Sequence, residues 1–311
     1  MPSPKPSVLI TEFMDQPAVD LLAKTLDVHY EPELFAKPDQ LLQRVDSHQA
    51  LIVRNRTQVT AEVVKQANKL KVVGRLGVGL DNIDLKACQD HGVQVAPATG
   101  ANAVSVAEYV MGAIFTLYRA IGDGYAPVTQ GLWPRTQMVG QEIAGKTLGL
   151  VGMGEIAHEV AKRAGVFGMQ IAYFDPYVKD SSLPYTAHAS LEALLAVSDC
   201  VSLHVPLTNG TRHLINAARL ALMKTEALLI NTARGGVVDE QALVQALKSG
   251  QLGGAALDVF EQEPVDLAYG QRFAGVERLI LTPHVAGVTV ESNARVSDVT
   301  AKNVLRALGH A

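Results

Sequence analysis

The 311-residue sequence has few cysteines and no arrangement of them that binds metal. Cys88 and Cys200 are far apart and belong to neither a CxxC pair nor a Cys/His ligand pattern. The sequence therefore indicates two buried free thiols in a reducing compartment, and it gives no metal site.

Long apolar runs are also lacking. No segment approaches the ~18 consecutive apolar residues that a membrane span needs. The N-terminal stretch MPSPKPSVLITEF has three prolines and no apolar core behind a basic start, so we do not expect a signal peptide. We expect a cytoplasmic protein without a membrane partner.

An excess of positive charge is the third absence. With 27 Lys and Arg against 31 Asp and Glu, the net charge is −4 and the pI is about 6.1. This balance excludes a general attraction to nucleic acid or anionic membranes, so locally placed arginines must bind any anionic ligand. Hydrophobic residues make up 48% of the chain, which is long enough for two domains with their own cores.

The sequence does contain a strand, turn, helix and strand between Thr147 and Asp175. A short apolar strand leads into Gly152 and Gly154, apolar residues then recur at helical spacing, and a second apolar run ends on Asp175. Gly152 permits a tight turn, Gly154 leaves room for a pyrophosphate at a helix N-terminus, and Ala157 lets helix and strand pack closely. The pattern predicts a dinucleotide site, and the alternative is an ordinary turn between strand and helix.

Two acidic residues bear on the choice of cofactor. Asp175 lies roughly 20 residues beyond Gly154, where a carboxylate can accept hydrogen bonds from the adenosine ribose. This favours NAD over NADP, because a 2′-phosphate would meet like charge. Glu155 competes with a pyrophosphate for the positive end of the helix, and we expect its side chain to point to solvent.

The remaining pattern predicts two α/β regions. In the first hundred residues it predicts strands at 8–10, 28–30, 50–53, 71–74 and 93–96, helices at 18–25, 61–68 and 84–91, and a loop punctuated by Pro32 and Pro38. A capping box of Ser105 and Glu108 predicts the start of a long helix that ends near Arg119. Six strands follow, at 147–151, 171–174, 200–204, 227–230, 254–259 and 279–281, with helices at 191–197, 239–249 and 291–308.

Two polar loops of the first region are candidates for binding an anionic substrate. Arg54 and Arg56 directly follow a buried strand and can grip a second anionic group, although a solvated charged loop explains them equally well. Gly77, Val78 and Gly79 can hold a substrate carboxylate on backbone N–H groups, and the alternative is a flexible connection.

Three residues of the second region have the chemistry of a hydroxy acid dehydrogenase. Arg234 can bind a carboxylate, His284 can exchange the alcohol proton, and Glu263 can orient the histidine. Taken singly, each has a structural explanation: an ion pair, an exposed acid in a polar loop, and a helix cap after Pro283. The single tryptophan, Trp133, follows a glycine-rich arm and is either an oligomer contact or a core residue.

Four runs in this order resemble the D-isomer-specific 2-hydroxyacid dehydrogenase family: TLGLVGMGEIAHEVA, HVPLTNGTRHLI, NTARGGVVDEQALVQALKSGQLGGAALDVFEQEP and LTPHVAGVT. VGRLGVGLDNID and SVAEY extend the resemblance over nearly the whole chain. LIVRNRTQVT is similar to the corresponding loop of phosphoglycerate dehydrogenases, here in a form without their regulatory domain. Departures from the family pattern are Glu155 and, at the third glycine, Ala157.

The resemblance implies an α/β fold of two domains with the active-site cleft between them. One is a flavodoxin-like substrate domain of residues 1–101 and 285–311, and the other is a Rossmann NAD-binding domain of residues 102–284. It also implies a homodimer. No metal is implied, because hydride passes directly to the cofactor.

The resemblance further implies residue roles. His284 would be the acid/base, Glu263 its partner, and Arg234 the group that binds the substrate carboxylate and carbonyl oxygen. With the residues argued above, the predicted cofactor-binding set is Gly152, Gly154, Glu155, Ile156, Asp175, Pro206, Thr211, Thr232, Ala233, Asp258, His284 and Gly287. The predicted substrate-binding set is Arg54, Arg56, Gly77, Val78, Gly79 and Arg234.

The sequence leaves the substrate open among 3-phosphoglycerate, sulfolactate, hydroxypyruvate and glyoxylate. A dinucleotide-sensing binding protein similar to a corepressor is a rival, and the low net positive charge argues against it. A formate dehydrogenase is a second rival, but that branch has Gln in place of Glu263.

Overall fold

The computed structural model describes residues 5–178 and 182–310. The first four residues of the N-terminal stretch considered above lie outside this range. The chain divides into two compact units, Met1–Asn102 with Val288–Ala311, and Ala103–Gly287. Within the described residues, no helix is both long and apolar enough to cross a bilayer.

The first unit is built on a five-stranded parallel sheet. Its strands are β1 (Ser7–Ile10), β2 (Asp27–Tyr30), β3 (Ala50–Val53), β4 (Val72–Arg75) and β5 (Gln94–Pro97), in the order β2-β1-β3-β4-β5. This is the flavodoxin-like order, so the predicted fold class is confirmed here. Helices from the same unit are α1 (Gln16–Ala23), α2 (Pro38–Val45), α3 (Ala61–Gln66) and α4 (Leu85–Asp90).

Helix α2 corrects the prediction of a loop around Pro32 and Pro38. Pro38 is the first helical residue, a position where the missing N–H is not needed. Leu41 and Val45, one turn apart, are buried and anchor the helix. The two prolines suggested irregular structure. The helical pattern after Pro38 is short, so it did not outweigh that signal.

The second unit contains a seven-stranded parallel sheet. Its strands are β6 (Thr147–Val151), β7 (Gln170–Phe174), β8 (Thr186–Ala187), β9 (Cys200–Leu203), β10 (Leu228–Asn231), β11 (Gly254–Leu257) and β12 (Leu279–Leu281), in the order β12-β11-β10-β9-β6-β7-β8. Counted from β6, this is the Rossmann order 3-2-1-4-5-6 with a seventh strand added, which confirms the Rossmann prediction. The predicted count of six strands was wrong because β8 is only two residues long and exposed.

The helices of the second unit are α5 (Ala103–Arg119), α6 (Tyr125–Thr129), α7 (Glu155–Val166), α8 (Leu191–Val197), α9 (Ala217–Leu220), α10 (Glu240–Lys248) and α11 (Leu267–Gly270). The predicted capping box at the start of α5 was wrong. Ser105 is the third helical residue and is buried, so it cannot cap the helix. α5 packs against α7, and both contribute to the apolar core on one face of the sheet.

An arm at residues 121–139 carries apolar side chains that are more than half exposed: Ile121, Tyr125, Val128, Leu132, Trp133 and Val139. Trp133 is 80% exposed, so the core alternative for this residue was wrong. Cys88 and Cys200 are buried and free, as the sequence predicted.

The last helix, α12 (Val290–Ala307), belongs to the first unit and packs on α1, β4 and β5. Gly74 in β4 makes this contact possible. A Cβ at Gly74 would lie 2.6 Å from Val304 Cγ2 and 3.0 Å from Thr300 Cγ2. The side chains of α12 therefore fill the space above the sheet that a larger residue would take.

We predict that Gly74→Ala lowers the free energy of unfolding by about 1–3 kcal/mol, the usual cost of overpacking a core. Urea denaturation measures the effect. Gly112→Ala on the exposed face of α5 is the matched control, since its Cβ would meet no atom within 4 Å. It should be neutral or stabilising by up to about 1 kcal/mol. Equal stability of the Gly74 variant and the wild type would contradict the packing described for α12.

Candidate active site

The glycine turn after β6 packs against the protein at Gly152 and has free space beside it at Gly154. Gly152 has a φ of +89°, and a Cβ there would lie 2.8 Å from the carbonyl oxygen of His204. The Gly152 N–H donates to the Phe174 carbonyl at 2.9 Å. At Gly154, in contrast, a Cβ would meet no atom within 4 Å. The turn therefore packs tightly against β7 and β9 and leaves space where α7 begins.

Asp175 is fixed beside this turn. Its Oδ2 accepts the Met153 N–H and its Oδ1 accepts the Tyr177 N–H, both at 2.8 Å. The carboxylate at the end of β7 is thus brought next to the glycine turn, as the ribose prediction requires. Glu155, in the first turn of α7, is exposed, which confirms the predicted orientation toward solvent.

The segment after β9 brings Pro206 and Thr211 together. Thr211 Oγ1 donates to the Pro206 carbonyl at 2.6 Å and accepts the Thr208 N–H at 2.7 Å. His204, at the start of this segment, is buried at its ring, and burial lowers the pKa of His204 to about 4. Its imidazole is therefore neutral at physiological pH.

After β10, side-chain hydrogen bonds of Asn231 shape the turn that carries Thr232, Ala233 and Arg234. Asn231 Oδ1 accepts the Ala233 N–H at 3.1 Å, and its Nδ2 donates to the Arg234 carbonyl at 2.9 Å. Thr232 Oγ1 is buried and has no hydrogen-bond partner within residues 5–178 and 182–310. A buried hydroxyl of this kind calls for a ligand or water. With the space at Gly154 and the fixed Asp175, it makes this edge of the sheet fit a dinucleotide.

His284 and Glu263 form a hydrogen-bonded pair. His284 Nδ1 lies 2.7 Å from Glu263 Oε2, and Glu263 Oε1 accepts the Phe260 N–H at 2.9 Å. The two side chains are 44% and 34% exposed. Burial raises the pKa of Glu263, but the hydrogen bonds from His284 and Phe260 and the nearby positive charge outweigh it and hold the pKa below its usual value. The carboxylate stays ionised and can orient the imidazole, which leaves Nε2 for proton exchange.

Asp258 holds the loop that carries His284. Its Oδ1 accepts hydrogen bonds from Thr282 Oγ1 at 2.6 Å and from the Val285 N–H at 2.8 Å. Its Oδ2 accepts the Ala286 N–H at 2.8 Å, and its carbonyl accepts the His284 N–H at 2.8 Å. The buried carboxylate fixes His284 in a left-handed conformation, φ +55°. Strained backbone of this kind is typical of functional sites.

This loop also excludes the helix-cap explanation for His284. The helix that follows, α12, begins at Val290 and is capped by Thr289, whose side chain accepts the Ser292 N–H. Gly287 lies in the same loop as His284 and is the last residue of the second unit.

Tyr109, which belongs to the SVAEY run on α5, supports the same loop. Its hydroxyl lies 2.6 Å from Thr282 Oγ1. Sequence reasoning did not single out Tyr109.

Arg234 and Glu263 lie on turns that touch each other. A Cβ at Gly235 would overlap the Phe260 carbonyl, so only glycine permits this approach. Arg234 is half-buried, and its Nη1 donates to the Ala233 carbonyl at 2.6 Å. The positive charge of Arg234 contributes to the lowered pKa of Glu263. The structure thus brings Arg234, Glu263 and His284 together through adjacent turns of the second unit.

Glu240, at the start of α10, is a further site residue that sequence reasoning missed. It is 2% exposed, its Oε1 accepts the Glu261 N–H at 2.7 Å, and its Oε2 accepts the Tyr269 O–H at 2.6 Å. Burial raises the pKa of Glu240. It holds the Phe260–Glu263 turn from the side of α10. The only sign of Glu240 in the sequence is that it is an acidic residue directly after Asp239, the helix cap of α10.

The predicted substrate residues of the first unit have separate partners. Arg54 Nη2 donates to Asn293 Oδ1 at 2.7 Å, whereas the guanidinium of Arg56 lies 3.6 Å from the Phe35 ring centroid. Arg54 is half-buried and Arg56 is exposed.

At the glycine loop, Gly77 has a φ of +145°, and its N–H donates to the Arg75 carbonyl at 2.8 Å. A Cβ at Gly77 would overlap the Arg75 guanidinium. Arg75 therefore brings a further cation to the loop of Gly77, Val78 and Gly79. Arg75 directly precedes the glycine-rich run, but no motif in the sequence marks it as a site residue.

Residues 111–286 match the family model described as the D-isomer specific 2-hydroxyacid dehydrogenase NAD binding domain. This range contains the glycine turn, Asp175 and the triad of Arg234, Glu263 and His284.

Similar proteins cover nearly the whole chain. The (S)-sulfolactate dehydrogenase of Chromohalobacter salexigens is 51% identical over 305 residues, 97% of this chain and 98% of that protein. The hydroxypyruvate reductase of Thermotoga maritima is 38% identical over 97% of this chain and 98% of that protein. The crystal structure of the TT0316 protein from Thermus thermophilus superposes with a TM-score of 0.89 at 37% identity, covering 97% of each chain. The chain belongs to the D-isomer specific 2-hydroxyacid dehydrogenase family.

Proposed function

We propose that the protein is an NAD-dependent oxidoreductase that interconverts a small D-2-hydroxy acid and its 2-oxo acid. The observation that supports it best is the 2.7 Å pair of His284 and Glu263, placed with Arg234 on the strand ends of a dinucleotide-binding sheet. This is the acid/base arrangement that the oxidation of an alcohol requires.

The residues have the following roles in the proposal. In reduction, His284 donates a proton to the carbonyl oxygen of the 2-oxo acid, and in oxidation it accepts the hydroxyl proton. Glu263 holds the ring through its hydrogen bond with Nδ1 and so orients Nε2 for proton exchange. Arg234 binds the substrate carboxylate and carbonyl oxygen. When bound, the nicotinamide supplies hydride to C2 or takes it from C2.

The proposed coenzyme site consists of Gly152, Gly154, Glu155, Ile156, Asp175, Pro206, Thr211, Thr232, Ala233, Asp258, His284 and Gly287. Asp175 favours NAD over NADP, since its fixed carboxylate would repel a 2′-phosphate. Asp258 has a second task, because its oxygens hold the loop of His284.

A spectrophotometric screen of 2-oxo acids with NADH and with NADPH tests the activity. We expect turnover with NADH, and we expect His284→Ala to lower kcat by about 100-fold or more, the scale of lost acid–base catalysis. NADH binding should weaken far less, because the other residues of the coenzyme site remain. His310→Ala, at an exposed position near the C-terminus, is the control and should leave kcat unchanged.

Unchanged turnover in His284→Ala would remove this residue from the mechanism. Tight NADH binding without turnover across the panel would instead favour a dinucleotide-sensing protein. A preference for NADPH would contradict the role given to Asp175.

We further propose that the substrate carries a second anionic group. Arg54 and Arg56 would bind this group, and Gly77, Val78 and Gly79 would hold the carboxylate. The relative named (S)-sulfolactate dehydrogenase supports this choice, because sulfolactate bears a sulfonate beside its carboxylate. A 3-phosphoglycerate-like acid has the same charge pattern, whereas hydroxypyruvate and glyoxylate lack the second anion.

Arg54→Ala tests the second anion. We expect the KM for a sulfonated or phosphorylated 2-oxo acid to rise by about 10-fold or more, the effect of losing a charge-assisted hydrogen bond, and the KM for glyoxylate to stay within about 2-fold. Arg306→Ala is the control and should change neither KM, because Arg306 is exposed near the end of α12. Equal effects of Arg54→Ala on both substrates would show that this arginine does not bind the second anion.

The exposed arm at residues 121–139 supports the proposal of a homodimer. Its six apolar side chains would be covered in an assembly. We expect a dimer by light scattering, and we expect the double substitution Leu132→Asp with Trp133→Ser to shift the mass toward the monomer. Val166→Asp, exposed on α7 outside the arm, is the control. A wild-type monomer would contradict the proposal.

The proposed compartment is the cytoplasm. Cys88 and Cys200 are both free and buried, which suits a reducing environment. The small acid and the coenzyme are the proposed partners, and the net charge of −4 gives no reason to add nucleic acid.

A further inference from the structure

The loop that carries Arg54 and Arg56 is folded around a carboxylate of the protein itself. Glu12 follows β1 and is only 3% exposed. Its Oε1 accepts the N–H groups of Arg54 at 2.8 Å and Thr57 at 2.9 Å. Its Oε2 accepts the N–H of Arg56 at 3.1 Å. Three backbone donors from one four-residue loop therefore converge on one buried anion.

This arrangement decides how the loop can bind an external anion. A buried carboxylate is costly unless it is hydrogen-bonded, and here the loop amides supply those bonds. Convergent amides of this kind often bind phosphate or sulfonate, but here Glu12 occupies them. Recognition of a substrate anion by this loop must therefore come from the guanidinium groups of Arg54 and Arg56.

Asn82 fixes the carbonyl side of the same loop. Its Nδ2 donates to the Thr57 carbonyl at 2.6 Å and to the Arg54 carbonyl at 3.1 Å. Asn82 is itself buried. The backbone at 54–57 is thus held by Glu12 through its N–H groups and by Asn82 through its carbonyls.

Asn293 fixes the guanidinium of Arg54. Its Oδ1 accepts from Arg54 Nη2 at 2.7 Å, and it lies in the first turn of α12. Burial lowers the pKa of Arg54, although an arginine remains charged at any physiological pH. A half-buried guanidinium with a fixed backbone and a fixed end group has few alternative rotamers.

We propose that Glu12, Asn82 and Asn293 are positioning residues that set selectivity for a substrate with a second anionic group. The inference rests on the proposed role of Arg54. These three residues hold Arg54 in place for the anion without touching the substrate. Loss of any one leaves Arg54 present but free to move, so the enzyme loses discrimination and keeps its chemistry.

The experiment measures kcat and KM for 3-sulfopyruvate and for glyoxylate with NADH in Glu12→Gln, Asn293→Ala and Arg54→Ala. For Glu12→Gln and Asn293→Ala, we expect the KM for 3-sulfopyruvate to rise by roughly 5-fold to 10-fold and the KM for glyoxylate to stay within about 2-fold. Wild-type kcat for glyoxylate should be kept. A merely structural role would raise the KM for both substrates by a similar factor, so the ratio of the two KM values is the decisive readout.

Asn303→Ala is the matched control. Asn303 lies on the same helix as Asn293, and its Nδ2 donates to the Pro97 carbonyl instead of to the loop. Its KM ratio should equal that of the wild type. Asn293 is partly exposed, so Asn293→Ala keeps the test available if Glu12→Gln does not fold.

The outcomes separate this inference from the proposed function. Arg54→Ala could raise the KM for 3-sulfopyruvate but not for glyoxylate, while Asn293→Ala keeps the wild-type ratio of the two KM values. In that case the positioning role is overturned and the role of Arg54 stands. If Arg54→Ala affects both substrates equally, or the wild type reduces glyoxylate but neither 3-sulfopyruvate nor its phosphorylated counterpart, both are overturned. Selective loss in Asn293→Ala and Arg54→Ala, with the control unchanged, supports both.

Discussion

Two turns of the second unit approach each other so closely that only a glycine fits between them, and the candidate site depends on this approach. Gly235 lies against the Phe260 carbonyl, which sets the separation of the turn with Arg234 from the turn with Glu263. Glu263 in turn orients His284. Backbone packing at the strand ends therefore sets the positions of Arg234, Glu263 and His284. Close-packed backbone of this kind deforms little.

Buried carboxylates hold the loops of both units. Asp258 accepts amides of the His284 loop, Glu240 accepts an amide of the Glu263 turn, and Glu12 accepts three amides of the Arg54 loop. In each case an acidic side chain from one segment satisfies backbone donors of a distant segment. These hydrogen bonds give the backbone N–H groups of the loop an acceptor and give the buried carboxylate its donors. Neither the N–H groups nor the carboxylate is therefore left without a hydrogen bond in the interior.

The sequence predicted the parts of the fold that have a local signal. Buried strands are short apolar runs between turn residues, and the glycine turn, Asp175 and the ordered motifs are recognisable from residue type and spacing alone. β8 was missed because two exposed residues carry no pattern, and α2 was missed because prolines obscured it. Ser105 and Glu108 matched a capping box by residue type alone, although Ser105 is inside the helix.

The sequence could not predict the loop supports, for a different physical reason. Glu12 and Arg54 are 42 positions apart and Asp258 and Ala286 are 28 apart, so no periodicity links them. Each of these acidic residues, taken alone, looks like an ordinary polar residue after a strand or at a helix start. Their importance arises only when the sheet brings their strand ends together.

The placement of α12 has a consequence for biosynthesis. Its side chains Thr300 and Val304 complete the core over β4, yet they follow the entire second unit in the chain. Until α12 is translated, this apolar face of the first sheet is only partly covered, because α1 packs on the same side. The second unit is continuous in the chain and can complete its core first, so apolar surface of the amino-terminal sheet stays exposed for longer during synthesis.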